Sequence, residues 1–130
     1  MASIFSKIIA GDIPCYKVAE TSEYFAFLDI RPLTKGHTLV VPKQEVDYLF
    51  DMDNESYAGL QLFAKIVAEA IKKAVPCVRV GVCVIGLEVP HAHIHLIPFN
   101  TMDEMNFSNK KLDLSPEEMT EIAKKISSCL

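Results

Sequence analysis

The chain has 130 residues, half of them hydrophobic and 23% charged, with a formal net charge of -4 at pH 7. That length holds one ordinary domain around a single core and is short for two. The acidic balance argues against a non-specific nucleic-acid binder, whose surface would be basic, but leaves room for a phosphate-bearing small ligand in a local site.

In chain order, Ile4, Phe5, Ile8 and Ile9 recur at helical spacing. With Ser3 as cap and Gly11 as terminator they predict a short helix over 4–10. A turn at 12–14 leads to a strand at 17–20. A second, aromatic-rich strand follows at 24–29. The loop at 31–36 carries Pro32 and Gly36, and a third strand at 37–42 opens on His37 and closes on Pro42. Asp53 or Asn54 caps a long helix at 54–75, whose stripe is Leu60, Phe63, Ala64, Val67, Ala70, Ile71 and Ala74; Pro76 stops it. A strand at 78–85 and a short turn at 86–90 lead to a final strand at 91–98, and so tight a connection requires antiparallel pairing. Residues 100–113 read as irregular. Ser115 and Glu118 form a capping box for a last helix with Pro116 at its first position and Met119, Ile122, Ala123 and Ile126 as its stripe. These elements predict an α+β domain of antiparallel strands with separate helices.

Four cysteines (Cys15, Cys77, Cys83 and Cys129) form no Cys-x-x-Cys pair. Cys83, in an apolar run, reads as a small buried hydrophobe. Lys7 and Asp12 interrupt the early apolar residues, so there is no signal-peptide core, and no stretch reaches membrane-spanning length. A cytoplasmic, reducing setting is the expectation.

The distinctive stretch is His91-Ala92-His93-Ile94-His95-Leu96-Ile97-Pro98. On a strand, successive side chains point to opposite faces, so His91, His93 and His95 share one face and Ala92, Ile94 and Leu96 the other. Their Cα atoms would stand roughly 7 Å apart at a rise of ~3.3 Å per residue. Three of the four histidines on one strand face are hard to explain by folding alone, because imidazole fills strands poorly and protonated neighbours repel. Two chemistries fit. Histidines at i and i+2 could converge on Zn²⁺, with three of them plus a water making a catalytic centre. Alternatively, one neutral imidazole attacks phosphorus while its neighbours handle protons and phosphoryl charge without a metal.

The row resembles the histidine triad, or HIT, signature, His-x-His-x-His with apolar residues between and after. The resemblance extends to 4–14 (Ile-Phe-Ser-Lys-Ile-Ile-Ala-Gly-Asp-Ile-Pro), to 24–32 (Tyr-Phe-Ala-Phe-Leu-Asp-Ile-Arg-Pro) and to 36–43 (Gly-His-Thr-Leu-Val-Val-Pro-Lys), blocks that arrive in family order. It implies a HIT-like fold of the Hint-like branch: a five-stranded antiparallel sheet, a long central helix, a short N-terminal helix and a C-terminal helix. One domain would span 1–130, with its core at about 3–98 and an extension at 99–130. The implied activity is a nucleotidyl hydrolase or transferase that releases AMP or another nucleoside monophosphate from phosphoramidates or adenylate esters through a nucleotidyl-histidine. Alternatives are a low-turnover purine nucleotide-binding protein and a dinucleoside polyphosphate hydrolase. By position His93 matches the nucleophile, His91 the residue whose carbonyl accepts from its Nδ1–H, His95 the phosphate or leaving-group contact, and His37 the upstream member of the proton network. Asp29 matches the ribose-binding acid, Phe5 and Ile30 the base pocket, and Glu88 and Val89 the phosphate loop beside His93 and His95. The resemblance also implies a homodimer, a purine nucleotide as partner, no cofactor, and neither nucleic acid nor membrane.

Three departures stand out. Many bacterial members carry Cys-x-x-Cys near the start and bind zinc there with two histidines; here the positions are Ser3 and Ser6, poor zinc ligands. Leu87 stands where a glutamine is expected, and the preceding loop lacks the usual asparagine. Glu88 replaces a small hydroxyl residue that donates to phosphate, and a carboxylate there would repel a phosphate unless protonated or turned away.

Overall fold

The computed structural model describes residues 2–130. Helix α1 (Ile4–Ile9) starts where the Ser3 hydroxyl accepts from Ser6 N–H and ends before Gly11, which takes φ +87°, a conformation a side chain would strain. Strands β1 (Lys17–Glu20), β2 (Tyr24–Leu28) and β3 (Thr38–Pro42) follow. Next come a 3-10 turn at Leu49–Asp51, α2 (Asn54–Ala74), β4 (Arg79–Cys83) and β5 (Ile94–Phe99). A second 3-10 turn at Met102–Met105 precedes α3 (Pro116–Ser127). The five strands form one sheet in the order β1-β2-β3-β5-β4, every neighbouring pair antiparallel. This is the expected HIT-like α+β architecture.

Period-2 alternation splits the sheet into two faces. Ala26, Leu28, Val40, Ala92, Ile94 and Leu96 pack on one side against Leu60, Phe63, Val67 and Ile71 of α2. Helix α3 adds Met119, Ile122, Ala123 and Ile126 to the same core, so the segment after residue 99 is part of the main packing unit. Each fully buried Leu, Ile, Val or Phe side chain is worth about 1.5–3 kcal/mol against leaving it in water. Phe25, Phe27, Leu39 and Val41 face the other way and gather around Phe5 of α1. His95 stands opposite Leu39 of β3 and Cys83 of β4 in the ladder, hence on this second face.

The structure corrects several expectations. The histidine strand begins at Ile94, not His91, and β4 ends at Cys83, not Ile85, so the connection runs over 84–93 rather than 86–90. The physical reason lies in the neighbouring segment: His91 N–H turns to the Val89 carbonyl (2.8 Å) and Ala92 N–H to the Val46 carbonyl (2.6 Å), which takes this stretch out of the ladder. Strand β3 likewise starts at Thr38, one residue after His37. Cys83 is half-buried rather than enclosed, because β4 is an edge strand. The two 3-10 turns fall in stretches with no helical period to announce them. The first lies in the 43–53 connection. The second is closed by a capping box of Thr101 and Glu104 inside the segment read as irregular.

Candidate active site

Departure from the ladder shapes the site. Within a regular strand the His91 carbonyl would point into a neighbouring chain; here it accepts from His93 Nδ1 at 2.8 Å. Nδ1 of His93 therefore carries the proton, and the lone pair sits on Nε2. The edge of Phe5 packs on His93 with ring centroids 5.0 Å apart and holds the ring from the α1 side.

The remaining histidines are fixed by equally rigid partners. His91 is fully buried. Its Nε2 lies 2.8 Å from the Pro42 carbonyl, an obligate acceptor, so Nε2 donates and Nδ1 accepts the Ser3 hydroxyl proton at 2.7 Å. His37 Nδ1 accepts from Leu33 N–H at 3.0 Å, so its Nε2 carries the hydrogen and donates to His95 Nδ1 at 3.0 Å. By the same logic His95 must carry its own proton on Nε2. Among the described residues, this chain of assignments leaves two ring nitrogens unclaimed: a lone pair on His93 and an N–H on His95. Their rings lie 5.0 Å apart. A free lone pair and a hydrogen-bond donor stand side by side, a pairing that could attack and polarise a phosphoryl group.

Burial keeps the supporting imidazoles neutral. It pushes His37 down to about 3 and His95 down to about 4; the charge a protonated His95 would carry, then Lys111, add to the effect on His37, and the charge a protonated His93 would carry adds to that on His95. His91 is lowered mainly by burial, against the opposing pull of the Pro42 carbonyl. Asp29 is raised by burial despite accepting from Arg31 N–H at 2.9 Å. Its Oδ2 is 3.7 Å from His37 Nε2, and because that ring is neutral the contact is not an ion pair.

The structure brings Phe5, Asp29, His37, His91, His93 and His95 into one neighbourhood. Ile30 is 71% exposed. Val89 packs beside the Phe5 cluster, while Glu88 is exposed on the 84–93 connection. A cleft of about 240 Å³ reaches His93 between Asp47, Tyr48 and Phe50 on one wall and Val84, Ile85 and Gly86 on the other. Nothing in the periodicity marked 47–50 as a wall of the site. Phe107 was equally hidden. Its ring packs edge-on against His95 at 4.9 Å and His37 at 6.2 Å, and Lys111 Nζ pins the segment by donating to the Phe107 and Asn109 carbonyls at 2.5 and 3.1 Å.

Residues 10–102 match the family model of the HIT domain. The chain belongs to the HIT family. It is 37% identical over 130 residues to a Schizosaccharomyces pombe protein named adenosine 5'-monophosphoramidase, with 98% of each chain covered. Among solved structures it is similar to a Hit-like protein from Bartonella henselae, with a TM-score of 0.85 and 32% identity, over 98% of this chain and 96% of that one. It is also similar to a zinc-bound histidine triad family protein from Mycobacterium smegmatis, with a TM-score of 0.84 and 27% identity, over 99% and 93% of the two chains.

Among the described residues, the two side-chain clusters beside the histidine row do not fit a metal ion with the hydrogen bonds they make. Ligand atoms of Asp29, His37 and His95 lie within 4.8 Å of one another. However, the hydrogen on His37 Nε2 points into His95 Nδ1, so no lone pair of either ring is free at that point. Around Ser3 and Ser6 the donors are two hydroxyls, the Glu45 carboxylate and His91 Nδ1, and these already share protons among themselves. Hydroxyl oxygens are weak ligands for zinc, which favours thiolate and imidazole. Among the described residues, no helix is long and apolar enough to cross a membrane.

Proposed function

We propose that this HIT protein is a nucleotidyl hydrolase that releases AMP, or another nucleoside monophosphate, from phosphoramidates or adenylate esters. The hydrogen bond from His93 Nδ1 to the His91 carbonyl carries the reading, because it commits the Nε2 lone pair to attack. That lone pair forms a bond to phosphorus as the bond from phosphorus to the leaving nitrogen or oxygen breaks, and the leaving group takes up a proton from solvent water. Water then attacks phosphorus and gives up a proton to solvent, the phosphorus–nitrogen bond breaks, and the electron pair returns to Nε2. His95 Nε2–H donates to the phosphoryl oxygens as negative charge develops, and His37 keeps that proton on Nε2. Asp29, beside this pair, holds the ribose hydroxyls, Phe5 and Ile30 line the base pocket, and Val89 belongs to the phosphate loop. The relatives named adenosine 5'-monophosphoramidase support this substrate class.

We also infer a homodimer, in the cytoplasm. Edge strand β4 exposes Val82, the following segment Val84 and Ile85, and the adjoining helix α2 Leu62 and Ile66. An apolar patch beside an unpaired strand edge is a surface suited to a second copy.

The test is intact mass after brief exposure to a panel of adenylated amines and esters. The expected result is a covalent AMP adduct that maps to His93 and is absent from His93→Ala. Undiminished AMP release by that variant would remove the assignment.

A further inference from the structure

The segment 42–46 holds the histidine row at two points, the Pro42 carbonyl accepting from the His91 ring and the Val46 carbonyl from Ala92 N–H. A third hold comes from the other end of the sequence. Glu45 Oε1 accepts from Ser3 N–H at 2.6 Å and from the Ser6 hydroxyl at 2.7 Å. Because the Ser6 hydroxyl proton goes to Glu45, and the Ser3 oxygen already accepts Ser6 N–H at 3.0 Å, the Ser3 hydroxyl proton is aimed at His91 Nδ1. The interaction is local in space and distant in sequence, spanning 88 residues from Ser3 to His91 and 42 from Ser3 to Glu45. Ser3 and His91 are both buried, and the Ser6 hydroxyl, 3.5 Å from that ring nitrogen, gives its proton to Glu45 over the shorter 2.7 Å contact. Loss of the donor would leave a buried polar atom unpaired and free the ring to turn.

We propose that Ser3 and Glu45 are positioning residues for the His93 nucleophile, Ser3 through its hydrogen bond to His91 and Glu45 through the bonds it accepts from Ser3 and Ser6, at the place where Cys-x-x-Cys members bind zinc. The path is short. Glu45 orients Ser3, Ser3 fixes the His91 ring, and the fixed residue presents its carbonyl to His93 Nδ1. If loss of the ring's anchor lets the His91 backbone shift, His93 loses the carbonyl that keeps its proton on Nδ1, and the attacking lone pair is divided between two nitrogens. The proposal rests on the reading of His93 as nucleophile.

The experiment uses Ser3→Ala, Ser3→Thr and Glu45→Ala. Steady-state rates on an adenosine phosphoramidate are paired with nitrogen NMR of the His93 ring, which needs no turnover. Ser3→Ala is expected to lower kcat about 10- to 100-fold, the order of loss for an ångström-scale misplacement, with KM within about twofold. His93 would become a mixture of tautomers. Ser3→Thr, which keeps both the hydroxyl donor and the helix cap, restores both readouts. Glu45→Ala, at an exposed position, moves both in the same direction by a smaller factor and keeps the test informative if Ser3→Ala does not fold. The wild-type protein, mixed with one equivalent of zinc and desalted, is expected to show no retained metal by native mass spectrometry. An unchanged His93 tautomer in Ser3→Ala and Glu45→Ala would overturn the proposal, as would a loss confined to KM or zinc retained by the wild type. If the wild type forms no adduct while the tautomer still shifts, the functional reading fails and the positioning role stands.

Discussion

Lowering the pH should unfold this protein through two particular imidazoles. His37 and His95 are held neutral in the folded state, at about 3 and about 4, whereas in the unfolded chain each would titrate near 6.5. Below 6.5 the unfolded chain binds two protons that the folded one refuses, so stability present above that pH drains away as pH falls toward the folded values. Between pH 7 and pH 4 each ring contributes a loss of about 3 kcal/mol, at about 1.36 kcal/mol per pK unit. Together that is about 6 kcal/mol, a large part of the 5–15 kcal/mol typical of a whole domain. The assay is urea unfolding at pH 7, 6, 5 and 4, comparing wild type with a His37→Gln/His95→Gln double variant. Glutamine keeps hydrogen-bonding capacity at both positions but does not titrate. The wild-type curve should fall steeply from pH 6.5 downward, and the variant, less stable at pH 7, should be much flatter over the same range. Carboxylates that are lowered in the folded state, Glu20, Glu45 and Asp53, lose their contributions further down, near and below pH 4, and do so in both proteins. Parallel curves for the two proteins would refute the claim that these rings are buried neutral.

Two further changes test the packing. Gly59 lies in the interior of α2, where alanine is normally favoured by about 1 kcal/mol, but a Cβ there would meet the Tyr24 hydroxyl at 2.0 Å. That hydroxyl donates to the Ser56 carbonyl at 3.0 Å, so Gly59→Ala should destabilise by about 1–3 kcal/mol in urea, and a variant more stable than wild type would show that Tyr24 is not wedged there. Ser115→Ala removes the oxygen that accepts Glu118 N–H at the start of α3. It should lower stability by about 1 kcal/mol, seen as a melting temperature some 3–6 °C lower with activity unaltered.

Local chemistry made most of the fold legible. Ser3 before Ile4, Asp53 before Asn54 and Ser115 before Pro116 each began the helix that the cap rules require, and the stripes of α2 and α3 are the residues that became buried. Caps, periods and proline stops act over a few residues, so a linear reading finds them. The same holds for the grouping of three histidines on one face and for the membership that the motif announces.

Tertiary structure alone decided how that row works. Period-2 spacing predicts a strand from His91, but competing acceptors at Val46 and Val89 pull the first part of the row out of the sheet, and that release gives His93 its acceptor. Which nitrogen of His91 carries its proton depends on Pro42 and Ser3, and which nitrogen of His95 does depends on Leu33 acting through His37, residues far from the row in the chain. Phe107 over His95 and the cleft wall at Tyr48 and Phe50 belong to segments with no period of their own. A sequence specifies which side chains are present and their local spacing. The position of a hydrogen on a buried imidazole is set by whichever fixed donors and acceptors the folded chain brings within about 3 Å of it.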